Sequence, residues 1–353
     1  MILSGWVKLK YKYIIFFSLF SVFLCSGETI AGERRIFRVA SYNVENLFDL
    51  NNDGTEYPEY IPGSKYSWNE KVAAKKYSNI SKVLADIDAD IIALQEIENN
   101  IALYELIKLL KRKGSEYPFW AIADNKKSAV KCALISKFRL NDSAEIRSAH
   151  MGRSILKVTI DISGNELVIY SNHWPSKKSS ERSRLIYAKA LKADIKKLPL
   201  GTEYIITGDF NSDYNEFITF EKNRKLNDTA GKTGINHILK TTTGSKSVDL
   251  KMIESSECTN CLYNLWLEIE PLSRWSYIYK KKKSSLDNMI IPFLLLDNKS
   301  IDYVKGSFGK YVPDYVFRGK KIFRWQRTNK GSHIGKGFSD HLPVFADFKI
   351  ENK

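Results

Sequence analysis

The chain has 353 residues, 43% of them hydrophobic and 27% charged, with 55 Lys and Arg against 40 Asp and Glu and a net charge of +15. That length suits one large α/β domain, and with no repeat, coiled coil or Pro-rich linker the sequence excludes a solenoid or a divided chain. A folded chain this basic is expected to meet polyanions or anionic surfaces, unless its lysines serve only to solvate the surface.

The first segment reads as an export signal. Lys8, Lys10 and Lys12 precede an apolar stretch from Tyr13 to Cys25, broken only by Ser18 and Ser21, and small residues follow. The stretch is short for a bilayer span, and cleavage after Gly27 or Ala31 would send the mature chain to the periplasm or out of the cell. Residues 1–27 are therefore expected to be a signal peptide and residues 34–351 the folded domain. Alternatively, residues 13–25 form a core helix, or Cys25 carries a lipid anchor, although Leu24 stands where a small residue is wanted before such a cysteine. In an exported chain Cys258 and Cys261 of "CTNC" are expected to form a local disulfide, and Cys132 to pack in the core. No second Cys or His pair stands at zinc-ligand spacing.

Short runs rich in β-branched and aromatic residues then recur: "FRVASYNV" (37–44), "DIIALQE" (90–96), "KCALISK", "SILKVTIDI", "ELVIYSNHW", "EYIITGDFN", "RWSYIY", "LDNMIIP" and "LPVFADFKI". Helical spacing marks 70–86, 100–113 and 181–198. Strands and helices in no strict alternation predict an α/β sandwich rather than a doubly wound sheet. Polar residues stand at the strand ends: Asn43, Glu96, Asn172 with His173, Asp209 with Asn211, Asp287, and Asp340 with His341. Two packed sheets can gather such ends on one rim.

Carboxylates, amides and two histidines, with no Ser or Cys placed as a nucleophile, suit Mg²⁺, Mn²⁺ or Ca²⁺ rather than zinc. Taken singly, "GDFN" could be an Asx turn, Asp340 a strand start, and Glu96 an acid at a helix start. "DLNNDG" (49–54) matches the opening of a calcium loop through Asp49, Asn51 and Asp53, but Tyr60 holds position twelve, and a polar turn is the alternative.

In their order, "SYNVENLFD", "ALQEIEN", "SNHWPSK", "TGDFNSD", "SLDNMII" and "FSDHLPVF" resemble the motif set of the DNase I-like endonuclease/exonuclease/phosphatase superfamily over about residues 38–348. The resemblance implies a four-layered α/β sandwich of two packed, mainly antiparallel sheets flanked by helices. It makes Glu96 the main metal ligand, with Asn43 and Asp340 close to the ion. It pairs His341 with Asp287, gives Asp209 and Asn211 the attacking water or leaving group, and sets His173 where the DNase I, sphingomyelinase and inositol-phosphatase branches carry a histidine. Asp124 is the candidate partner of His173. Asn172 is taken as substrate-binding, and Arg153 either faces the phosphate or pairs on the surface.

In "RWSYIYKKKKSSLDNM", Lys280, Lys281, Lys282 and Lys283 are expected to grip flanking phosphates, while Trp275, Tyr277 and Tyr279 are read as cross-strand packing. Lys177, Lys178, Arg182 and Arg184 are placed near the same rim. The expectation is an exported, monomeric, metal-dependent endonuclease acting on DNA, with RNA as a second polynucleotide and without a protein partner. The alternatives are a sphingomyelinase-like phospholipid phosphodiesterase, a phosphoinositide phosphatase, or a silent binding module. A lipid enzyme needs an exposed apolar hairpin, and "IPFLLLD" (291–297) is read instead as a buried strand.

Overall fold

The computed structural model describes residues 35–350 except 125–127, 222, 256, 257 and 259; the expected signal peptide at 1–27, with Cys25, lies outside them. The first strands are β1 (Arg35–Leu47), β2 (Ile91–Ile97), β3 (Phe119–Ile122), β4 (Lys131–Ser136), β5 (Leu140–Ile146), β6 (Ile155–Ile162), β7 (Asn165–His173) and β8 (Glu203–Asp209). They are followed by β9 (Leu262–Asn264), β10 (Tyr277–Tyr279), β11 (Lys282–Ser284), β12 (Asp287–Pro292), β13 (Ile301–Tyr303) and β14 (Val344–Ile350). The long helices are α1 (Glu70–Ile87), α2 (Asn100–Arg112) and α3 (Glu181–Ile195).

Side-chain alternation along the strands sets the layers. On β1, Phe37 and Val39 enter the core between the sheets, while Ala40 and Tyr42 join the cluster that holds Ile80 and Leu84 of α1. On β7, Leu167 and Ile169 point inward and Val168 and Tyr170 pack outward with Tyr187 and Leu191 of α3. Each such burial contributes roughly 1.5–3 kcal/mol. The result is the expected four-layered sandwich. One sheet has the order β13-β14-β1-β2-β4-β3, with Gly309–Lys310 also paired to β14, and the other β9-β12-β8-β7-β6-β5.

Only β1 with β2 and β7 with β8 run parallel in these two sheets; every other adjacent pair is antiparallel. The C-terminal ends of both parallel pairs and the starts of their antiparallel neighbours, β12 and β14, therefore reach one rim.

The three long helices fall where the apolar spacing predicts them. Asn69 and Asn99 cap the first two by accepting the N–H groups of Val72 and Ala102. Helix α3 stops at Ile195, short of the expected 198, and Pro199 disfavours helical backbone at Leu198. Strands β3, β5, β9 and β13 escape the sequence reading. Strands β5 and β9 are sheet edges, and "LNDSAEI" of β5 carries almost no apolar alternation.

The run "IPFLLLD" is not one buried strand. Ile291 and Pro292 end β12, and Phe293–Leu296 make a 3-10 turn with Phe293 38% exposed. Proline cannot donate to the ladder, so pairing ends there. Phe293 and Leu294 line a groove of about 710 Å³ at the rim opposite the polar strand ends. Cys258 and Cys261 form the expected disulfide, and Cys132 is buried in the inter-sheet core. No helix among the described residues is long and apolar enough to cross a membrane.

Gly208 sits at φ +130°, and a Cβ there would lie 2.1 Å from the Asn172 carbonyl oxygen on the parallel neighbour. Gly208→Ala should cost about 3 kcal/mol through backbone strain and overpacking. Urea unfolding should show the loss as a lower midpoint at unchanged slope.

Candidate active site

Register aligns the first three groups. His173 stands beside Asp209 across the parallel pair β7 and β8, and Asp209 faces Asp287 on antiparallel β12. A histidine and two aspartates thus form one lateral row at the end of the second sheet. The first sheet meets that row through Asn43, whose Nδ2 donates to Glu96 Oε1 at 3.0 Å and to Asp209 Oδ2 at 3.1 Å. Its own Oδ1 accepts the Glu45 N–H at 3.0 Å.

Bulges aim these side chains. The β1–β2 register shifts between Asn43 and Leu47, and the β2–β4 register between Leu94 and Ile97. Glu45, Asn46 and Glu96 have positive φ of 53°, 64° and 67°. A bulge re-aims a side chain, and here it turns Glu96 into the cleft. Glu96 is therefore a strand residue; the helix that follows is capped by Asn99. Asn211, at φ 49°, lies just past β8, so it is not on a strand face with Asp209. An Asx turn holds it, with Asp209 Oδ1 accepting its N–H at 2.8 Å, while its amide donates to Trp174 O and Asp209 Oδ2. The turn reading and the site reading of "GDFN" both hold.

A second bond between the sheets joins His341 to Asp287. His341 Nδ1 lies 2.8 Å from Asp287 Oδ2, which also accepts the Ser276 hydroxyl at 2.5 Å. The other ring nitrogen, Nε2, is 3.8 Å from Asp209 Oδ2 and 4.0 Å from Asp340 Oδ1. Burial works against a charged His341, but Asp287 and Asp209 outweigh it and hold its pKa well above the ordinary histidine value. His173 is driven the opposite way, well below that value, by burial and then by Arg153 and His341. Its Nε2 lies 3.7 Å from Glu96 Oε1 and 3.6 Å from Asp209 Oδ2. The surroundings thus favour a protonated His341 beside a neutral His173.

The carboxylates crowd one another. Burial pushes Asp209 up to about 7, with Asp287 and Glu96 adding and His341 subtracting. Burial and Asp340 raise Glu96. Arg324 binds both Glu45 and Asp340, the latter at 3.2 Å. Sequence reading passed over Arg324, Glu45 and Ser276. Arg324 sits in an irregular segment whose order leaves no periodic trace, whereas Glu45 lies inside the quoted "SYNVEN" and its spacing from Asn43 was the available signal.

An open cleft of about 1210 Å³ joins these groups to Arg153, Lys178, Tyr57, Tyr277, Tyr279 and Lys282. Arg153 is fixed in it by donating to the carbonyls of His173 and Trp174. Tyr277 packs on His341 with ring centroids 4.7 Å apart. In the β10–β11 hairpin Tyr277 pairs with Ser284 and Tyr279 with Lys282, so these four share the cleft side; Ile278 and Lys283 take the other. Two expectations are corrected here. Lys283 lies over the buried Trp275 ring, Lys280 and Lys281 form the exposed turn, and of the four lysines only Lys282 lines the cleft. Tyr277 and Tyr279 belong to the cleft wall, and only Trp275 is packing.

Three further placements change. Asn172 is spent on structure: its amide donates to Tyr170 O and Thr207 O, and its Oδ1 accepts the Trp174 indole N–H. Asp124 is exposed with its N–H bound to Glu145, and His173 Nδ1 is buried with no hydrogen-bond partner, so Asp124 does not orient that ring. Arg184 is a core residue paired with Glu181 and Arg182 is tied to Asp228, whereas Lys177 lines the cleft as expected, bonded there to Asp213 and Glu216.

The donor set fits a hard divalent cation. The oxygens come from the carboxylates of Asp209, Glu96, Asp340 and Asp287, whose Oδ1 is buried without a partner, while a protonated His341, within 4.8 Å of the Asp209 and Asp287 oxygens, serves as a donor and not as a ligand.

Replacing Asp287 with Asn should leave only Asp209 and Asp340 to oppose burial, and the His341 imidazole resonance should titrate well below its position in the parent. In the parent it should stay protonated through the ordinary histidine range, as read by NMR. Because the folded-state pKa is raised, the pair's stabilisation is complete below the ordinary value and is lost as pH rises through the raised one.

The sequence pattern of the Endonuclease/Exonuclease/phosphatase family matches residues 38–350. Comparison with curated proteins finds no match. Among solved structures, D. rerio TDP2 complexed with a single-strand DNA product is similar at a TM-score of 0.52 and 14% identity, over 89% of this chain and 98% of that one. An endonuclease/exonuclease/phosphatase family protein from Bacteroides thetaiotaomicron aligns at 0.50 and 15% identity, over 91% and 100%. One from Beutenbergia cavernae aligns at 0.51 and 14%, over 90% and 72%. At such identities the structures share the fold. The match over residues 38–350 goes further: the chain belongs to the endonuclease/exonuclease/phosphatase family, whose members are metal-using hydrolases of phosphodiester bonds.

Proposed function

We propose that this protein is an exported, divalent-metal-dependent nuclease that hydrolyses DNA with little sequence preference. The observation that carries the reading is the cleft-facing side of the β10–β11 hairpin, where Tyr277 packs on His341 and Tyr279 and Lys282 line the same cleft. Tyr279 is 56% exposed, which suits it to a base or sugar, and Lys282 opposite it suits a flanking phosphate. The groove of Phe293 and Leu294 lies on the far rim, away from any lipid headgroup in the cleft. D. rerio TDP2, which shares the fold, is complexed with a DNA strand, and this supports a polynucleotide.

In this reading Glu96, Asn43 and Asp340 would hold Mg²⁺, Mn²⁺ or Ca²⁺, which when bound would neutralise charge on the phosphate oxygens and acidify water. Asp209, poised near 7, takes a proton from the attacking water, and Asn211 fixes its carboxylate. The His341 imidazolium, oriented by Asp287, donates from Nε2 to a phosphate oxygen as negative charge develops. Neutral His173 donates or accepts beside Glu96 and Asp209, and Arg153 faces the same phosphate from β6's start.

Supercoiled plasmid, linear DNA, RNA and sphingomyelin vesicles should be offered to the protein with Mg²⁺, Mn²⁺, Ca²⁺ or chelator. Metal-dependent nicking that falls by about 10²–10⁴ in His341→Ala supports the reading. Vesicle turnover without nicking would transfer the same residues to a lipid phosphodiester.

The hairpin can be examined separately. Lys282→Ala should reduce the slope of log affinity against log salt by about one unit for DNA, and Lys283→Ala should leave it unchanged. Tyr279→Ala should weaken single-strand binding by about 1–3 kcal/mol. Equal effects of the two lysines would remove the hairpin from the interface.

A further inference from the structure

Residues 49–57 border the cleft, with Thr55 and Tyr57 among its walls. The linear calcium-loop pattern does not operate there. Asp49 is buried, its Oδ1 accepts the Asn51 N–H, and its Oδ2 accepts the amides of Asn51 and Asn99. A different set converges instead: Asp53, Glu56 and Glu98 each bring a carboxylate oxygen within 4.8 Å of the others.

Glu98 supplies the second observation. It is 1% exposed, its Oε2 accepts the Asp49 N–H at 2.7 Å, and its Oε1 is buried with no hydrogen-bond partner. A buried carboxylate oxygen left without a partner costs several times what an ordinary hydrogen bond contributes. The other two carboxylates are already shaped by the loop. Asp53 Oδ1 accepts the N–H and hydroxyl of Thr55, and Glu56 accepts the N–H groups of Asp53 and Gly54. Lys131 stands nearby, but its ammonium donates to the carbonyls of Glu98 and Ser128, so it lowers the local charge without satisfying that oxygen.

We propose that Asp53, Glu56 and Glu98 form a second divalent-cation site, separate from the catalytic one, which fixes the 49–57 wall of the cleft. The donors are all oxygen, the ligands come from a short irregular loop and one strand end, and the exposed Asp53 leaves room for water. Calcium accepts six to eight oxygens in irregular geometry, whereas magnesium demands a near-octahedral shell, so the site suits calcium. Affinity on the order of 10⁻⁴ M is expected for a site this exposed.

The catalytic ion must be removed from the measurement, so the parent for the test is Glu96→Gln. Calcium titrated into it should give one binding event by calorimetry, raise the Tm, and slow proteolytic cleavage within 49–57. Adding Asp53→Asn and Glu56→Gln, both on the accessible loop, should weaken binding at least tenfold and abolish the Tm rise and the protection. Circular dichroism should show the fold intact, and Glu98→Gln should reproduce the loss from the buried side. The proposal is overturned if the Glu96→Gln parent shows no calcium response, or if the loop variants bind as tightly as that parent.

Discussion

Like charge packed at the seam between two sheets is the constraint on which this structure turns. Glu96 and Asp340 belong to one sheet's end and Asp209 and Asp287 to the other's, and all four meet within the reach of His341, His173 and Asn43. Two unit charges about 4 Å apart repel by about 4 kcal/mol at the effective dielectric of a protein surface. One amide and two cations oppose that repulsion: Asn43 bridges Glu96 to Asp209, His341 stays charged beside Asp287, and Arg324 binds Asp340. Four carboxylates against two cations leave the seam negative. Such a set suits a divalent ion, and burial, with Asp287 and Glu96 adding to it, drives Asp209 up to about 7.

Backbone strain follows the same seam. Among the described residues, fourteen non-glycine positions have positive φ, and Glu45, Asn46, Glu96, Asn211, Lys280 and Lys281 are six of them. Each costs of order 1 kcal/mol, and the packed sandwich beneath over-determines them. The strain has a use at each place. The two bulges send Glu96 into the cleft, Asn211 closes a turn on Asp209, and the Lys280–Lys281 turn folds the hairpin that brings Tyr277 onto His341.

The strand-end polar residues were legible because the fold puts the ends of both parallel pairs on one rim, and a polar group ending an apolar run has few other reasons to be there. What misled was period two. Asn172 follows the same alternation as Tyr170 and Trp174, facing away from His173, and Lys283 alternates with Lys282; both facts were open to a strict count along the strand. The partnership of Arg324 with Glu45 and Asp340 was not legible, since it joins an irregular stretch to a bulge some 279 residues away in sequence. Nor could Glu98 be separated from Glu96, because only the bulge sends one into the cleft and the other under the loop.

Sign of charge connects the centre to its surroundings. The chain carries +15 overall, yet the seam is acidic, so a polyanion is drawn to the walls and repelled by the unloaded centre. Arg153, Lys178 and Lys282 stand on those walls, while Lys177 and Arg184 are neutralised by carboxylates of their own. The structure thus separates two tasks by position. For the polynucleotide substrate proposed above, basic side chains would hold the phosphate chain along the cleft, and the carboxylates would admit its scissile group only once a cation had reversed the local potential, which would couple substrate entry to metal loading through electrostatics alone.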